Sequence, residues 1–230
     1  MNEPGQSTAD ANIRWFADND GYVEAQSRLP HYQHIARMVG HELRGVDHLL
    51  DVGNGGFFNY DLGIPRRVTA VDLFLADGPG PAPNTTFRRG SLLALPFPDQ
   101  SFDCVLMQSV LHHVTGATAA ENHRNMRRGM QEIHRVLTEG GKAVIVESTV
   151  GRLFHAFECL VYRPLLALKR GGHPVTFQFT PGHLIEAARE SGFALEELSG
   201  VPWTWLVLQF GYRWPTPLTP ARTLKLVLRR

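Results

Sequence analysis

The sequence predicts an α/β protein: a mixed sheet of about seven strands, mostly parallel with an antiparallel C-terminal edge, and helices on both faces. Three observations lead there. His48–Val52, residues 68–72, Phe102–Gln108 and residues 143–146 are short, nearly continuous apolar runs, as strands buried on both faces require. Between the last two, Met126, Met130, Ile133 and Leu137 recur at spacings of four, three and four, the stripe of an amphipathic helix. Beyond residue 193 the chain reads as two or three strands with a long Trp- and Pro-containing connection, which suits an antiparallel edge.

Taken in order, residues 1–11 are polar, and 12–45 carry apolar residues at helical spacing, predicting one or two helices that cover the core. The core itself spans 46–150. His48–Val52 runs into the turn Gly53-Asn54-Gly55-Gly56, and Gly63-Ile64-Pro65 closes what can be only a short helix before the strand at 68–72. Residues 76–86 hold three prolines and two glycines, so they predict a surface loop, mobile without ligand, where a second crossover helix would stand. The helix carrying Met126 should end at Gly140-Gly141. Residues 151–179 form an insertion with an apolar helix around 154–168 and a break at Gly171-Gly172-His173-Pro174. Thr180-Pro181 then caps a helix that Gly192 ends, and 180–230 supplies that helix and the edge strands of a single domain.

Composition excludes several classes. With 23 basic and 22 acidic residues the net charge is +1, so no global field recruits nucleic acid. Cys104 and Cys159 lie in apolar surroundings without CxxC or Cys/His ligand spacing, which predicts buried free thiols. The histidines show no HExxH-like pattern, so no metal site is expected. The first twenty residues lack a secretory signature and no apolar run reaches a membrane span, which predicts a cytoplasmic protein.

The chemistry concentrates at two strand ends. Leu49-Leu50-Asp51-Val52-Gly53-Asn54-Gly55-Gly56 places a carboxylate and a glycine turn at the first, and the second ends in Asp72, twenty-one positions after Asp51. Glycines admit close approach of a ligand to the backbone, and an acidic tip can bind ribose hydroxyls. A dinucleotide turn would place a third glycine where Phe58 stands, and Asp51 would repel a pyrophosphate. A cofactor bearing an ammonium and a sulfonium suits that carboxylate.

Four ordered segments across residues 47–147 resemble the class I S-adenosylmethionine-dependent methyltransferases, in particular their small-molecule, type 11-like members. They are the LDVGNGG turn, the run from Arg89 to Asp103 with its Leu95-Pro96-Phe97-Pro98 centre, Gln108-Ser109-Val110-Leu111-His112-His113, and Glu132-Ile133-His134-Arg135-Val136-Leu137 leading to Gly140-Gly141. The resemblance implies a Rossmann-like fold and S-adenosylmethionine as cofactor. It places Asp51, Gly53, Asn54 and Gly55 around the methionyl end, Asp72 on the ribose, Leu73 on the adenine face, Ser91 and Leu92 on the adenine edge, and Gln108 beneath. Tyr22 would close the methionyl pocket and Arg28 would pair with its carboxylate. Three features depart from the pattern: Phe57 stands where a third glycine is usual, Ser91 where an aspartate is usual, and the Pro/Gly loop replaces a helix.

His112 follows Gln108 by four residues, where a general base for an oxygen or nitrogen acceptor would sit; packing beneath the pocket is the other reading of its position. The aromatic residues Phe154, Phe157, Tyr162, Phe177, Phe179, Trp203 and Trp205 suit a large apolar small-molecule acceptor. Residues 151–170 also mix basic and apolar side chains in a way that fits contact with a membrane surface or a carrier protein. The alternative function is a fold of this type that has lost methyl transfer and serves as a binding module or runs another reaction; a nicotinamide dehydrogenase is disfavoured by Asp51.

Overall fold

The computed structural model describes residues 30–168, 175–201 and 221–230. Helix α1 (Pro30–Glu42) leads into strand β1 (His48–Val52), followed by β2 (Arg67–Asp72), β3 (Gly78–Pro79), β4 (Thr85–Arg89) and β5 (Phe102–Gln108). A 3-10 turn, Leu111–His113, precedes helix α2 (Ala119–Val136), strand β6 (Leu137–Val150), helices α3 (Arg152–Leu168) and α4 (Pro181–Glu190), and strands β7 (Ala194–Gly200) and β8 (Ala221–Arg229). The eight strands form one sheet in the order β3-β4-β2-β1-β5-β6-β8-β7. β4, β2, β1, β5 and β6 run parallel, and β8 enters antiparallel between β6 and β7. The predicted mixed sheet with an antiparallel C-terminal edge is thus present, with the two-residue β3 as an added edge.

The two faces are covered differently. On one, α2, α3 and α4 bury Met126, Met130, Ile133, Tyr162, Leu184 and Ala187 against Leu50, Val52, Val105 and Ile145. On the other, α1 packs Ile35, Val39 and Leu43 on Leu49, Val68, Cys104 and Leu106, joined by Tyr60 and by the partly buried Phe58, Leu62 and Ile64. The residues from 57 to 64 are turns, so the short helix expected before Gly63 does not form. Their apolar side chains cover the sheet directly, and a groove of about 760 Å³ runs between them and α1.

Three other boundaries differ from expectation. Residues 76–86 are a tight hairpin, not an open loop: β3 pairs with β4, Gly80 N–H donates to Thr85 O at 2.8 Å, and Arg89 N–H to Asp77 Oδ1 at 2.7 Å. Strand β4, which it feeds, was not legible because Thr85-Thr86-Phe87-Arg88-Arg89 carries little apolar character. The helix through Met126 ends at Val136, four residues before the glycines. Leu137 is already extended, and Gly140 (φ +70°) and Gly141 serve a distorted start of β6, where a Cβ on Gly141 would lie 2.9 Å from Thr138 O.

The predicted cap at Thr180 is present, and a second one stands at Thr118. Thr118 and Glu121 form a reciprocal capping box at α2, and Thr180 Oγ1 accepts from His183 N–H at α4, with Pro181 in the first turn. Lys225 of β8 is buried between Glu42 of α1 (2.6 Å) and Glu197 of β7 (2.9 Å), tying the edge of the sheet to the helix beneath it.

Gly53 is needed twice over: its φ is +71°, and an added Cβ would stand 2.6 Å from Val110 Cγ2. Gly53→Ala should therefore lower unfolding free energy by about 1–3 kcal/mol in a denaturant titration. An unchanged midpoint would mean that this turn relaxes freely.

Candidate functional site

β1 and β2 bring Asp51 and Asp72 to neighbouring strand ends: their register pairs Asp51 with Ala70 and Val52 with Val71, so Asp72 lies two residues beyond the partner of Asp51. Asp51 is buried. Its Oδ2 accepts from Tyr60 OH (2.8 Å) and Asn54 Nδ2 (3.1 Å), while Oδ1 has no hydrogen-bond partner among the described residues. Burial pushes its carboxyl up to about 7 against the pull of the Tyr60 and Asn54 donors, with nearby Asp72 adding to the rise. Asp72 is also buried rather than solvated, and its Oδ2 accepts from Gly55 N–H at 3.0 Å. Its pKa too is raised by burial, opposed by the N–H groups of Gly55, Leu73 and Phe74.

The glycine turn is internally satisfied. Gly53 N–H donates to Val71 O, Gly55 N–H to Asp72, and Gly56 N–H to Asn54 Oδ1. None of these three is left to cradle a pyrophosphate, which argues against a dinucleotide. The positive φ of Gly53, Gly55 and Gly56 is what makes the turn possible. Next to it Leu73 is 38% exposed at the tip of β2, an apolar surface beside a buried acid.

At the tip of β4 Ser91 is half-buried with its Oγ accepting from Leu93 N–H at 3.2 Å, while Leu92 is buried against Gly129 of α2. Leu92 thus offers a ligand its backbone rather than its side chain. The amide of Gln108 is tied to Asn59 by reciprocal bonds of 2.8 and 3.0 Å. Tyr22, Arg28, the 171–174 break and Trp203 and Trp205 lie outside the described residues.

The feature that sequence reasoning missed is beneath His112. Glu147, at the C-terminal half of β6, is fully buried. Its Oε2 accepts from the N–H groups of Val110 (3.1 Å) and Leu111 (2.8 Å), and its Oε1 accepts from Ser148 N–H (2.9 Å) and faces His112 Nδ1 at 2.5 Å. The arrangement starts at Ser109, whose φ of +57° turns the chain so that the next two N–H groups reach Glu147. With Nδ1 donating to the carboxylate, the tautomer left to His112 has its lone pair on Nε2. The ring is 12% exposed.

Glu158 of α3 stands near His112. It accepts from Gln178 N–H at 3.0 Å, and burial pushes it up to about 7 against the opposing effects of that N–H and of His112. It lines a cavity of about 260 Å³ with Phe154, Phe157, Tyr162, Leu165 and Val175. The signal available for Glu158 was a lone acid within an apolar helix; Glu147, a lone acid ending an apolar strand, carried the same signal.

The strand order, the glycine turn and the paired acidic tips define a class I S-adenosylmethionine-dependent methyltransferase fold. Residues 50–145 match the family described as a methyltransferase domain. It is similar to the demethylmenaquinone methyltransferase of Chlorobaculum parvum, 36% identical over 89 residues, which is 37% of this chain and 33% of that protein. The match thus spans about a third of that relative's length.

Among solved structures, the chain resembles the 1,6-didemethyltoxoflavin-N1-methyltransferase of Burkholderia thailandensis bound to its namesake substrate and S-adenosylhomocysteine (TM-score 0.59, 18% identity, 100% of this chain and 93% of that one). It also resembles the methyltransferase solved with the Trm112 activator of Haloferax volcanii (TM-score 0.61, 18% identity, 94% and 96% covered). S-Adenosylmethionine is the cofactor of this class, and the residues present fit it: an orphaned buried carboxylate oxygen at Asp51 awaits a cationic donor, and the turn rejects pyrophosphate. Among the described residues no helix is long and apolar enough to cross a membrane.

Because the folded pKa of Asp51 lies above its unfolded value, the folded chain binds this proton more tightly. The stability it contributes is full below the usual carboxylate range and is lost as pH rises from about 4 towards about 7. In urea unfolding of the cofactor-free protein between pH 5 and 7, wild type should lose about 1 kcal/mol per pH unit relative to Asp51→Asn. Parallel curves would take the buried proton away from Asp51.

Proposed function

We propose that the protein transfers a methyl group from S-adenosylmethionine to an oxygen, nitrogen or carbon atom of a small-molecule acceptor, releasing S-adenosylhomocysteine, with His112 as the base that accepts the acceptor's proton. The observation that carries this reading is the His112–Glu147 pair at the tip of β5, held by backbone N–H groups beside the cofactor strands.

When bound, the cofactor supplies an electrophilic methyl carbon on a sulfonium. The protein's part is to hold the reactants in line and to handle one proton. Asp51 and Asn54 would hold the ammonium side, Asp72 the ribose, and Leu73 with the Ser91–Leu92 backbone the adenine. In-line positioning alone can supply several kcal/mol of the barrier reduction. Glu147 fixes the His112 ring and stabilises the imidazolium once Nε2 has taken the proton, as in other carboxylate–histidine pairs. The cavity walled by Phe154, Phe157 and Tyr162, with Glu158 as its ionisable group, suits an aromatic or apolar acceptor bearing a polar reactive atom. Leu153, Phe157 and Leu160 are exposed on the same helix, so an acceptor with an extended apolar part has surface to follow, and that face also fits contact with a lipid surface or a carrier protein.

Calorimetry with S-adenosylmethionine, S-adenosylhomocysteine and a nicotinamide dinucleotide tests the cofactor: binding of the first two and not the third is expected, and the reverse would sink the reading. Asp72→Asn should weaken S-adenosylhomocysteine binding about tenfold or more, because a charged acceptor becomes neutral, with the fold retained. Equal affinity would remove Asp72 from the ribose.

For catalysis, His112→Gln should reduce turnover by about a hundredfold or more while S-adenosylhomocysteine affinity stays within a few-fold. A variant that keeps most of its turnover would leave alignment as the catalytic device and end the role of His112.

A further inference from the structure

Where α3 leaves the end of β6, three side chains from two helices converge. His155 and Cys159 lie four residues apart on α3, on one face, and His123 comes from α2. His155 Nε2 is 3.3 Å from His123 Nε2 and 3.4 Å from Cys159 Sγ, and all three atoms lie within 4.8 Å of one another. His155 Nδ1 sits 2.8 Å from Gln178 O and donates to it, which leaves the lone pair of His155 on Nε2, facing the other two groups.

In the protein alone this grouping is poorly matched. Two weak or competing donors, an imidazole N–H and a thiol S–H, face a single lone pair, so at most one is well used. The rings of Phe177 and Phe179 and the His183 ring complete the wall, at centroid distances of 4.7 to 5.9 Å from His123.

We propose that His123 Nε2, His155 Nε2 and Cys159 Sγ bind a divalent transition-metal ion, with zinc the best match. The two separations from His155 are close to those of a tetrahedral zinc site: bonds of about 2.0–2.1 Å to nitrogen and 2.3 Å to sulfur put neighbouring ligand atoms about 3.3 Å (N to N) and 3.6 Å (N to S) apart, and the third is within 4.8 Å. Two imidazoles and a thiolate suit zinc over magnesium or calcium, which take oxygen ligands. The Gln178 carbonyl provides the outer hydrogen bond that orients a metal-bound histidine. Both imidazoles would bind as neutral rings. Binding would deprotonate Cys159 and release that proton to solvent. The fourth position is left to water.

Such an ion would staple α3 to α2. Glu158, next to Cys159 on α3, faces the acceptor cavity and His112, so the staple would fix the wall from which the acceptor is held. This inference stands whether or not the chain methylates, since no ligand atom belongs to the cofactor site.

The test is titration of metal-free, untagged protein with cobalt(II) as spectroscopic probe and with zinc by calorimetry. One ion per chain is expected, with the visible bands of tetrahedral cobalt and a thiolate-to-cobalt charge-transfer band in the ultraviolet. Cys159→Ser should abolish the charge-transfer band. His155→Gln should weaken zinc binding by at least about a hundredfold, because loss of even an outer partner costs 10–100-fold. As His155 is buried, His123→Gln on the half-buried helix face is the companion variant, and zinc should raise the melting temperature of wild type but not of this variant. Absence of stoichiometric binding, an octahedral cobalt spectrum, or affinity and spectra indifferent to all three substitutions would overturn the proposal.

Discussion

Glu147 receives three backbone N–H groups and one imidazole N–H in a place that water does not reach. A carboxylate so placed is tolerable only because every donor is supplied: removing them would leave a buried charge costing several kcal/mol. The dependence runs both ways. Val110 and Leu111 can point their N–H groups at it only because Ser109 accepts a left-handed backbone, and Val110 in turn presses on Gly53, whose lack of a side chain permits the contact. The glycine turn, the tip of β5 and the end of β6 are thus a single packed unit, and a change to any of them reaches the others.

The same economy shapes the cover of the sheet. Where the sequence predicts a short helix, residues 57–64 instead lay Phe58, Tyr60, Leu62 and Ile64 straight on the strands, and Tyr60 also donates to Asp51. A helix would have needed the turns between Gly53 and Gly63, which are too few and too rich in glycine and aromatic residues to propagate one. Core cover and cofactor-side hydrogen bonding therefore fall to one irregular segment.

What could be read from the sequence follows from how far apart the determining residues lie. The strands β1, β2 and β5, the cap at Thr180, and the Asp51 and Asp72 tips rest on neighbours within a few positions, and local pattern reported them. The end of α2 was misjudged because Gly140 and Gly141 stop a helix equally well on paper, whereas the chain needs them for the start of β6 beside Asp103 O. Strand β4 hid because it lies near the sheet's edge and its exposed residues are polar. The His112–Glu147 contact joins positions 35 apart, and the His123–His155 contact joins positions 32 apart, so neither leaves a spacing motif. The burial of Asp72, held by the Gly55 N–H from a different strand end, likewise leaves no local pattern.

Strand β8 carries a consequence for how the molecule is assembled. It inserts between β6 and β7, with Val150 facing Ala221 and Lys142 facing Arg229, so its ladder joins the most distant pairs in the sheet. Among the described residues β7 has no other partner, so it cannot dock until β8 has arrived. Closing a loop of that length must precede any reward from the contacts, so the outer sheet should form late, after the parallel core. During that interval β6 and β7 present open edges, the geometry that invites pairing between molecules. In the finished sheet β8 covers β6, and the border strand β7 exposes Glu196 and Glu197, charged positions that disfavour the approach of another strand; the opposite border is the two-residue strand ending in Pro79.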